Sequence, residues 1–182
     1  FLFAIYFFNK KKKYRIREYE FNFENIIFSN YSDLKKKFLS HNEVYNKYSN
    51  EKNHSFHLFD WLSVAKSIGG AENVLKAKKT IIKWHKNKYS KNYYIWSTLF
   101  SSKRFINLIY NYDFYAVSAS KLEKEIIHNI ILEHYLLVKL EVEKDLKKFN
   151  IEHFKSVFLG SLIYNDNIKE SVKILSLILS LQ

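Results

Sequence analysis

The chain has 182 residues, 47% hydrophobic and 26% charged, which is the balance of a folded globular protein rather than of a disordered one. It contains no cysteine and only 3 glycines, which excludes disulfides, thiolate metal sites, cysteine nucleophiles and the glycine-rich loops that bind nucleotides. The 30 Lys and Arg residues outweigh 18 Asp and Glu, and the net charge of +12 favours an anionic partner such as nucleic acid, acidic polysaccharide or anionic lipid.

Residues 1–53 are predicted to form an N-terminal arm that is partly strand-like and partly irregular. The first eight residues are apolar without a break, which is too short for a membrane-spanning helix and fits a buried strand. Lys10–Lys13 then predict a solvated turn. Aromatic and charged residues alternate loosely from Tyr14 to Phe23, as in a half-exposed strand. The polar stretch from Asn30 to Asn53 completes the arm.

From His54 onward, apolar residues recur at steps of three and four, so residues 54–182 are predicted to be all α-helical. The first helix ends at the stop signal Gly69-Gly70, and the second begins at Ala71. Short loops between successive helices predict antiparallel hairpins. The later predicted helices are a segment from Trp96 through Tyr112, the longest helix from Ser118–Ser120 through Leu146, Ile151–Tyr164 with Asn150 as its cap, and Ile168–Leu181.

Six short segments carry a resemblance, which rests on their order because each alone is short and hydrophobic. They are Phe7–Asn9 with Tyr14 and Ile16, Phe56–Leu62 (FHLFDWL), Gly69–Ala71 with Ile81–Trp84, Trp96 with Lys103–Asn107 (KRFIN), Phe158–Leu162 (FLGSL) and Ile174–Gln182. In this order they resemble the heparinase II/III family of polysaccharide lyases.

The resemblance implies that residues 54–182 form an incomplete α/α toroid of hairpins, with the rest of the toroid and a β-sandwich domain following in full-length members. It implies β-elimination at a uronic acid residue of an acidic polysaccharide, without a cofactor. In that reaction an Asn or Arg neutralises the carboxylate, a Tyr or His removes the C5 proton, and another group protonates the leaving oxygen. Because the family distributes this set over the toroid and the β domain, we expect the chain by itself to be inactive.

Asn150 and His153 are the candidates for the catalytic set. The family carries a carboxylate-neutralising Asn ahead of the helix that FLGSL resembles, but here the spacing from Asn150 to Gly160 is shorter. Asn150 suits at least as well a plain helix N-cap, the commonest role of Asn before a helix, and both interpretations stay open.

Trp96, Lys103 and Arg104 are the candidates for substrate binding. Trp96 stands at the entry from a loop to a helix and suits a platform for a sugar ring, whereas Trp61 and Trp84 are predicted to anchor the core. The planar fork of Arg104 suits a carboxylate or sulfate better than a lysine does. The alternative for Arg104 is a structural salt bridge to a carboxylate on a neighbouring helix.

The histidines are predicted to be structural rather than metal ligands. His54, His57 and Asp60 share a helix face, but the chain lacks an HExxH motif, and a partly exposed polar face is expected here. His134 lies among glutamates and is expected to be an exposed ion partner. Two further function classes stay open, a basic helical nucleic-acid-binding domain and a non-catalytic scaffold, although no RNP or helix-turn-helix signature supports the former.

Overall fold

The computed structural model describes residues 54–87, 93–144 and 150–164, together with Lys169, Val172 and Ser176. Within these ranges the regular elements are helices and no strand occurs. The predicted all-α class is therefore confirmed for the described residues. The predicted arm, residues 1–53, and most of the predicted helix Ile168–Leu181 lie outside them.

The helices of the described ranges follow the predicted order. They are α1 His54–Leu58, α2 Trp61–Ile68, α3 Ala71–Lys86, a 3-10 helix Tyr93–Trp96, α4 Thr98–Tyr110, α5 Tyr112–Ala116, α6 Lys121–Lys144 and α7 Ile151–Tyr164. The predicted beginnings of α3 and α7 are confirmed. None of these helices has the length and apolar character needed to cross a bilayer.

Two predicted helices are interrupted, and the prediction of continuous helices there is wrong. Between α1 and α2 the chain turns at Phe59, whose φ of 63° lies in the left-handed region although its side chain is fully buried. Between α4 and α5 it turns at Asn111, whose side-chain amide donates to the carbonyl of Asn107 at 2.8 Å. Such side-chain bonds compete with the helical backbone ladder, and a periodicity of apolar residues does not reveal them.

The beginning of α6 is fixed by a capping box that also binds α3. The backbone N–H of Glu123 donates to Ser120 Oγ at 3.3 Å, and the backbone N–H of Ser120 donates to Glu123 Oε2 at 2.8 Å. Lys78 of α3 donates to the same carboxylate at 2.9 Å. The hydrogen bond from Lys78, with those from Ser120, lowers the pKa of Glu123 to about 2.

Helix α4 lies at the centre of the described residues and packs against α1, α6 and α7, while α3 packs against α2, α5 and α6. The two tryptophans predicted as core anchors, Trp61 and Trp84, are buried as expected. Helix α6 is buried on more than one side, since the successive residues His134 and Tyr135 both have no exposed surface. The candidate site lies on one of these buried sides of α6, around His134.

Candidate functional site

Arg104 of α4 lies in the interior of the protein and has no exposed surface. Its Cζ atom is 4.8 Å from the centroid of the Trp84 ring and 5.2 Å from that of Trp96. A desolvated contact between a cation and an indole contributes about 2 kcal/mol. The two indoles therefore offset part of the free energy that burying the charge costs.

The guanidinium of Arg104 donates hydrogen bonds in three directions. Nε donates to His134 Nε2 at 2.8 Å, Nη1 to the carbonyl of His57 at 3.0 Å, and Nη2 to Ser101 Oγ at 3.2 Å. Because Nε2 of His134 accepts, its Nδ1 carries the proton and donates to the carbonyl of Ile130 at 2.8 Å. The geometry thus assigns a single neutral tautomer to His134.

The burial of this cluster shifts both pKa values downward. Desolvation lowers the pKa of Arg104 to about 9, partly opposed by the charge of Glu133. Desolvation, followed by the charge of Arg104, lowers the pKa of His134 to about 3. At pH 7 the pair is therefore a charged guanidinium and a neutral imidazole. The acceptors of Arg104 are an imidazole, a carbonyl and a hydroxyl. The alternative prediction, a salt bridge from Arg104 to a carboxylate on a neighbouring helix, is therefore wrong.

The Arg104 cluster approaches the surface at a second ionisable pair. His85 of α3 follows Trp84, and Glu133 of α6 precedes His134, and both side chains are about one-fifth exposed. His85 Nε2 and Glu133 Oε2 are 2.6 Å apart. Glu133 is also the negative charge that favours the charged form of Arg104. The buried cation thus has a nearby carboxylate at the rim of the protein.

The last carbonyls of a helix have no hydrogen-bond donors within that helix. At the end of α1, side chains of α4 and α2 donate to these carbonyls. The carbonyl of His57 accepts from Arg104, that of Leu58 accepts from Asn107 Nδ2 at 2.9 Å, and that of Phe56 accepts from Trp61 Nε1 at 3.3 Å. A non-glycine residue in the left-handed region costs about 1–2 kcal/mol. These tertiary hydrogen bonds hold the turn at Phe59 despite that cost.

Lys103 and Arg104 are adjacent in sequence but face different environments. Arg104 is turned inward, whereas Lys103 is half-buried at the outer side of α4, where its charge acts on the carboxyl of Asp60. Asn107 Nδ2 bridges to Asp60 Oδ1 at 2.9 Å. Desolvation raises the pKa of Asp60, opposed by the Asn107 hydrogen bond and the charge of Lys103. The structure therefore separates the three predicted substrate-binding residues into an inner group, Arg104 with half-buried Trp96, and an outer one at Lys103.

The two candidate catalytic residues bind each other at the beginning of α7. Asn150 Oδ1 accepts from the backbone N–H of Glu152 at 3.1 Å, so the N-cap interpretation is confirmed. His153 Nδ1 lies 2.6 Å from Asn150 Oδ1 and 3.3 Å from the backbone N of Asn150. Burial lowers the pKa of His153. Their role in catalysis stays a prediction.

Two histidines differ from their sequence-based prediction. His134 was expected to be exposed and is fully buried, because α6 is enclosed on both sides. His57 was expected on a partly exposed face and is also buried, with its Nδ1 accepting from Trp84 Nε1 at 3.0 Å. In the ranges that the structure describes, no group of three His, Asp or Glu side chains could hold a metal ion.

The role of His134 was missed by the sequence analysis, because α4 and α6 residues 30 positions apart meet only after folding. One signal pointed to the inner cluster. Arg104 is an arginine in a chain whose other basic residues are mostly lysines.

Comparison with known protein families, with curated proteins and with solved structures found no match to this chain. Support for a function of this chain therefore comes from its own residues and from the resemblance of its motifs.

Proposed function

We propose that this chain is a helical portion of a lyase that cleaves uronate-containing polysaccharide by β-elimination. In this proposal the chain supplies part of the saccharide-binding surface, and other parts of the enzyme supply most of the groups that transfer protons. The 182-residue chain alone is expected to bind acidic polysaccharide without cleaving it.

The observation that carries the proposal is the ordered set of motifs, and their contacts in the structure support it. FHLFDWL meets KRFIN through the hydrogen bonds of Arg104 and Asn107 to the carbonyls of His57 and Leu58. It meets the segment ending in Trp84 through the hydrogen bond of that indole to His57. Motifs far apart in sequence thus satisfy each other's hydrogen bonds. This gives a physical reason for their occurrence in the same chain.

Trp96 and Lys103 are the residues that we propose to contact the saccharide. Trp96 and Lys103 are both half-buried. An indole suits the C–H face of a sugar ring, and the ammonium of a lysine suits a carboxylate. Arg104 lies behind Trp96 without exposed surface. We propose that Arg104 holds Trp96 in position and does not touch the saccharide itself.

The charge of the chain supports an acidic ligand without selecting a saccharide. The net charge of +12 attracts any polyanion, and such attraction weakens steeply with salt. Charge alone would therefore fit the alternative of a nucleic-acid-binding domain equally well. An unsaturated product of β-elimination is needed to separate these functions.

The decisive experiment is an assay of the longest natural protein that contains this chain. We expect absorbance of an unsaturated uronate product on at least one member of a panel of heparin, heparan sulfate and alginate, with neutral dextran as the control. A folded protein that yields no such product on any acidic glycan would contradict the proposal. If that protein instead binds RNA tightly and the glycans only at low salt, the nucleic-acid alternative is correct. Selective binding to another protein would favour the scaffold.

A further inference from the structure

The outer side of the turn between α1 and α2 brings together three polar groups that the inner cluster does not use. Asp60 is exposed at the turn, and Lys103 and Asn107 project from successive turns of α4 toward it. Asn107 uses its amide N–H groups for the carbonyl of Leu58 and for Asp60 Oδ1. The amide of Asn107 and the carboxylate of Asp60 are thereby held in fixed positions.

Each of these three residues retains an unused polar atom. Within the described ranges, Asp60 Oδ2 and Asn107 Oδ1 accept no hydrogen bond, and Lys103 Nζ neither donates one nor lies within ion-pair distance of a carboxylate. Other lysines there, such as Lys66 and Lys78, have a carboxylate partner at 2.8–2.9 Å. The turn thus presents one cationic donor beside two acceptors.

This combination discriminates between classes of anionic ligand. A phosphate or sulfate group at neutral pH offers only acceptors, so it satisfies Lys103 but is repelled by the carboxylate of Asp60. A uronate residue also brings a negative charge, which Asp60 repels, but its hydroxyl donors to the two acceptors offset that repulsion while its carboxylate binds the lysine. We propose that Asp60, Lys103 and Asn107 form a binding subsite for one uronate residue of an acidic polysaccharide.

The backbone at Phe59 supports a function for this position. A buried phenylalanine with positive φ is strained, and such strain persists only where surrounding contacts enforce it. Here the donors from α4 enforce it, and the consequence is that Asp60 is directed outward beside Lys103 and Asn107. A continuous helix from His54 to Ile68 would not need these contacts.

The subsite rests on the proposed function, and calorimetric titration of the full chain tests it. The probes are a saturated mannuronate hexamer, a neutral mannose hexamer of the same linkage, and an oligouridylate of six nucleotides. We expect Lys103→Gln to weaken mannuronate binding about tenfold, the loss that accompanies one charge-assisted hydrogen bond. The matched control is Lys124→Gln on α6, an exposed lysine that also forms no ion pair in the described residues, and it should change the affinity less than twofold.

Asp60→Asn gives the sharper test because the two explanations predict opposite signs. In the subsite, loss of the acceptor for a hydroxyl outweighs the relief of repulsion from the uronate carboxylate and weakens mannuronate binding several-fold. The turn is retained because Asn Oδ1 still accepts from Asn107. If binding is only non-specific electrostatic attraction, removal of a negative charge strengthens the binding of mannuronate. Tighter binding by Asp60→Asn, or equal losses in Lys103→Gln and Lys124→Gln, would overturn the subsite. So would oligouridylate binding more tightly than mannuronate through Lys103.

The outcomes also separate the subsite from the enzymatic proposal. Mannuronate binding with the expected mutational pattern, but no unsaturated product from the longer protein, retains the subsite and rejects the lyase. Formation of product by a protein in which Lys103→Gln and Asp60→Asn leave both KM and binding unchanged retains the lyase and rejects the subsite.

Discussion

His134 and Tyr135 are neighbours on α6 and are both fully buried, yet opposite kinds of contact surround them. His134 accepts from the buried charge of Arg104 and lies 5.7 Å, between ring centroids, from Trp96. The Tyr135 ring stacks on Tyr164 at 5.2 Å and covers Gly160 of α7. One side of α6 is therefore held by directional hydrogen bonds, and the other by a close fit of volumes.

The His134 side and the Tyr135 side of α6 should therefore be sensitive to different kinds of substitution. On the His134 side, removal of one partner leaves a buried charge or acceptor unsatisfied, which costs more than the hydrogen bond contributes. On the Tyr135 side, added volume is harmful, because a packed interior has no room for it. Substitutions on each side can show whether this division is correct.

The largest effect is expected from Arg104→Ala. This change removes the charge between the indoles and leaves His134 Nε2 and the carbonyl of His57 without their donor. We expect the free energy of unfolding, measured by urea denaturation, to fall by about 2–6 kcal/mol, because each of the two buried acceptors left without a donor costs about 1–3 kcal/mol. Arg104→Lys should lose less, since it keeps the charge and can make one of the bonds. A variant with unchanged stability but weaker mannuronate binding would show that Arg104 is a ligand-binding residue after all.

Gly160→Ala should have the next largest effect, and it acts on the other side of α6. A Cβ atom at this position would overlap the ring of Tyr135, and such overpacking costs about 1–3 kcal/mol. The cost should shrink in a Tyr135→Ala background, where the ring is absent, but not in a Tyr135→Phe background. Equal costs of Gly160→Ala in all three backgrounds would contradict the close fit that defines this side.

Acidification should weaken the His134 side specifically. The folded-state pKa of His134 is lowered to about 3 from the ordinary value of 6.5. As pH falls below 6.5, His134 therefore becomes protonated in the unfolded chain but stays neutral in the folded chain. Stability from this group is complete above pH 6.5 and is lost toward about pH 3, with a slope of up to about 1.4 kcal/mol per pH unit.

The control for acidification is His134→Gln, since other groups titrate in the same window, including His153, whose pKa is also lowered. Urea denaturation between pH 6.5 and 4.5 should give a steeper loss of stability in the wild type than in this variant. Parallel pH profiles would mean that His134 takes up its proton in the folded state, which its assigned tautomer forbids.

The smallest effect is expected from the exposed end of α6, which belongs to neither side. Lys144 Nζ and Glu141 Oε1 form an exposed pair at 2.5 Å, one turn apart. Pairs of this kind contribute about 0.2–0.5 kcal/mol, so Lys144→Gln should shift the urea midpoint barely at all. A loss above about 1 kcal/mol would show that the charge balance of α6 as a whole, rather than its two buried sides, sets its stability.

Within the described residues, the sequence by itself determined the all-α class and several helix ends. The beginnings of α3 and α7 followed from Gly69-Gly70 and Asn150, because caps and apolar periodicity are local properties of the chain. The burial of Trp61 and Trp84 followed from the same periodicity. The hydrogen bond between Asn150 and the backbone N–H of Glu152 is local too, because the two residues are only two positions apart.

Only the tertiary structure decided the turn at Phe59, the burial of Arg104 and His134, and the outward position of Lys103. The donors that hold the turn are Arg104 and Asn107, which come from more than forty residues downstream, and no local pattern near Phe59 announces them. His134 is buried because α6 is enclosed on two sides, whereas its neighbouring glutamate indicated a solvated face. Charges and carbonyls are satisfied by whichever groups the fold brings to them, and that pairing is a property of the packed chain and not of any segment of it.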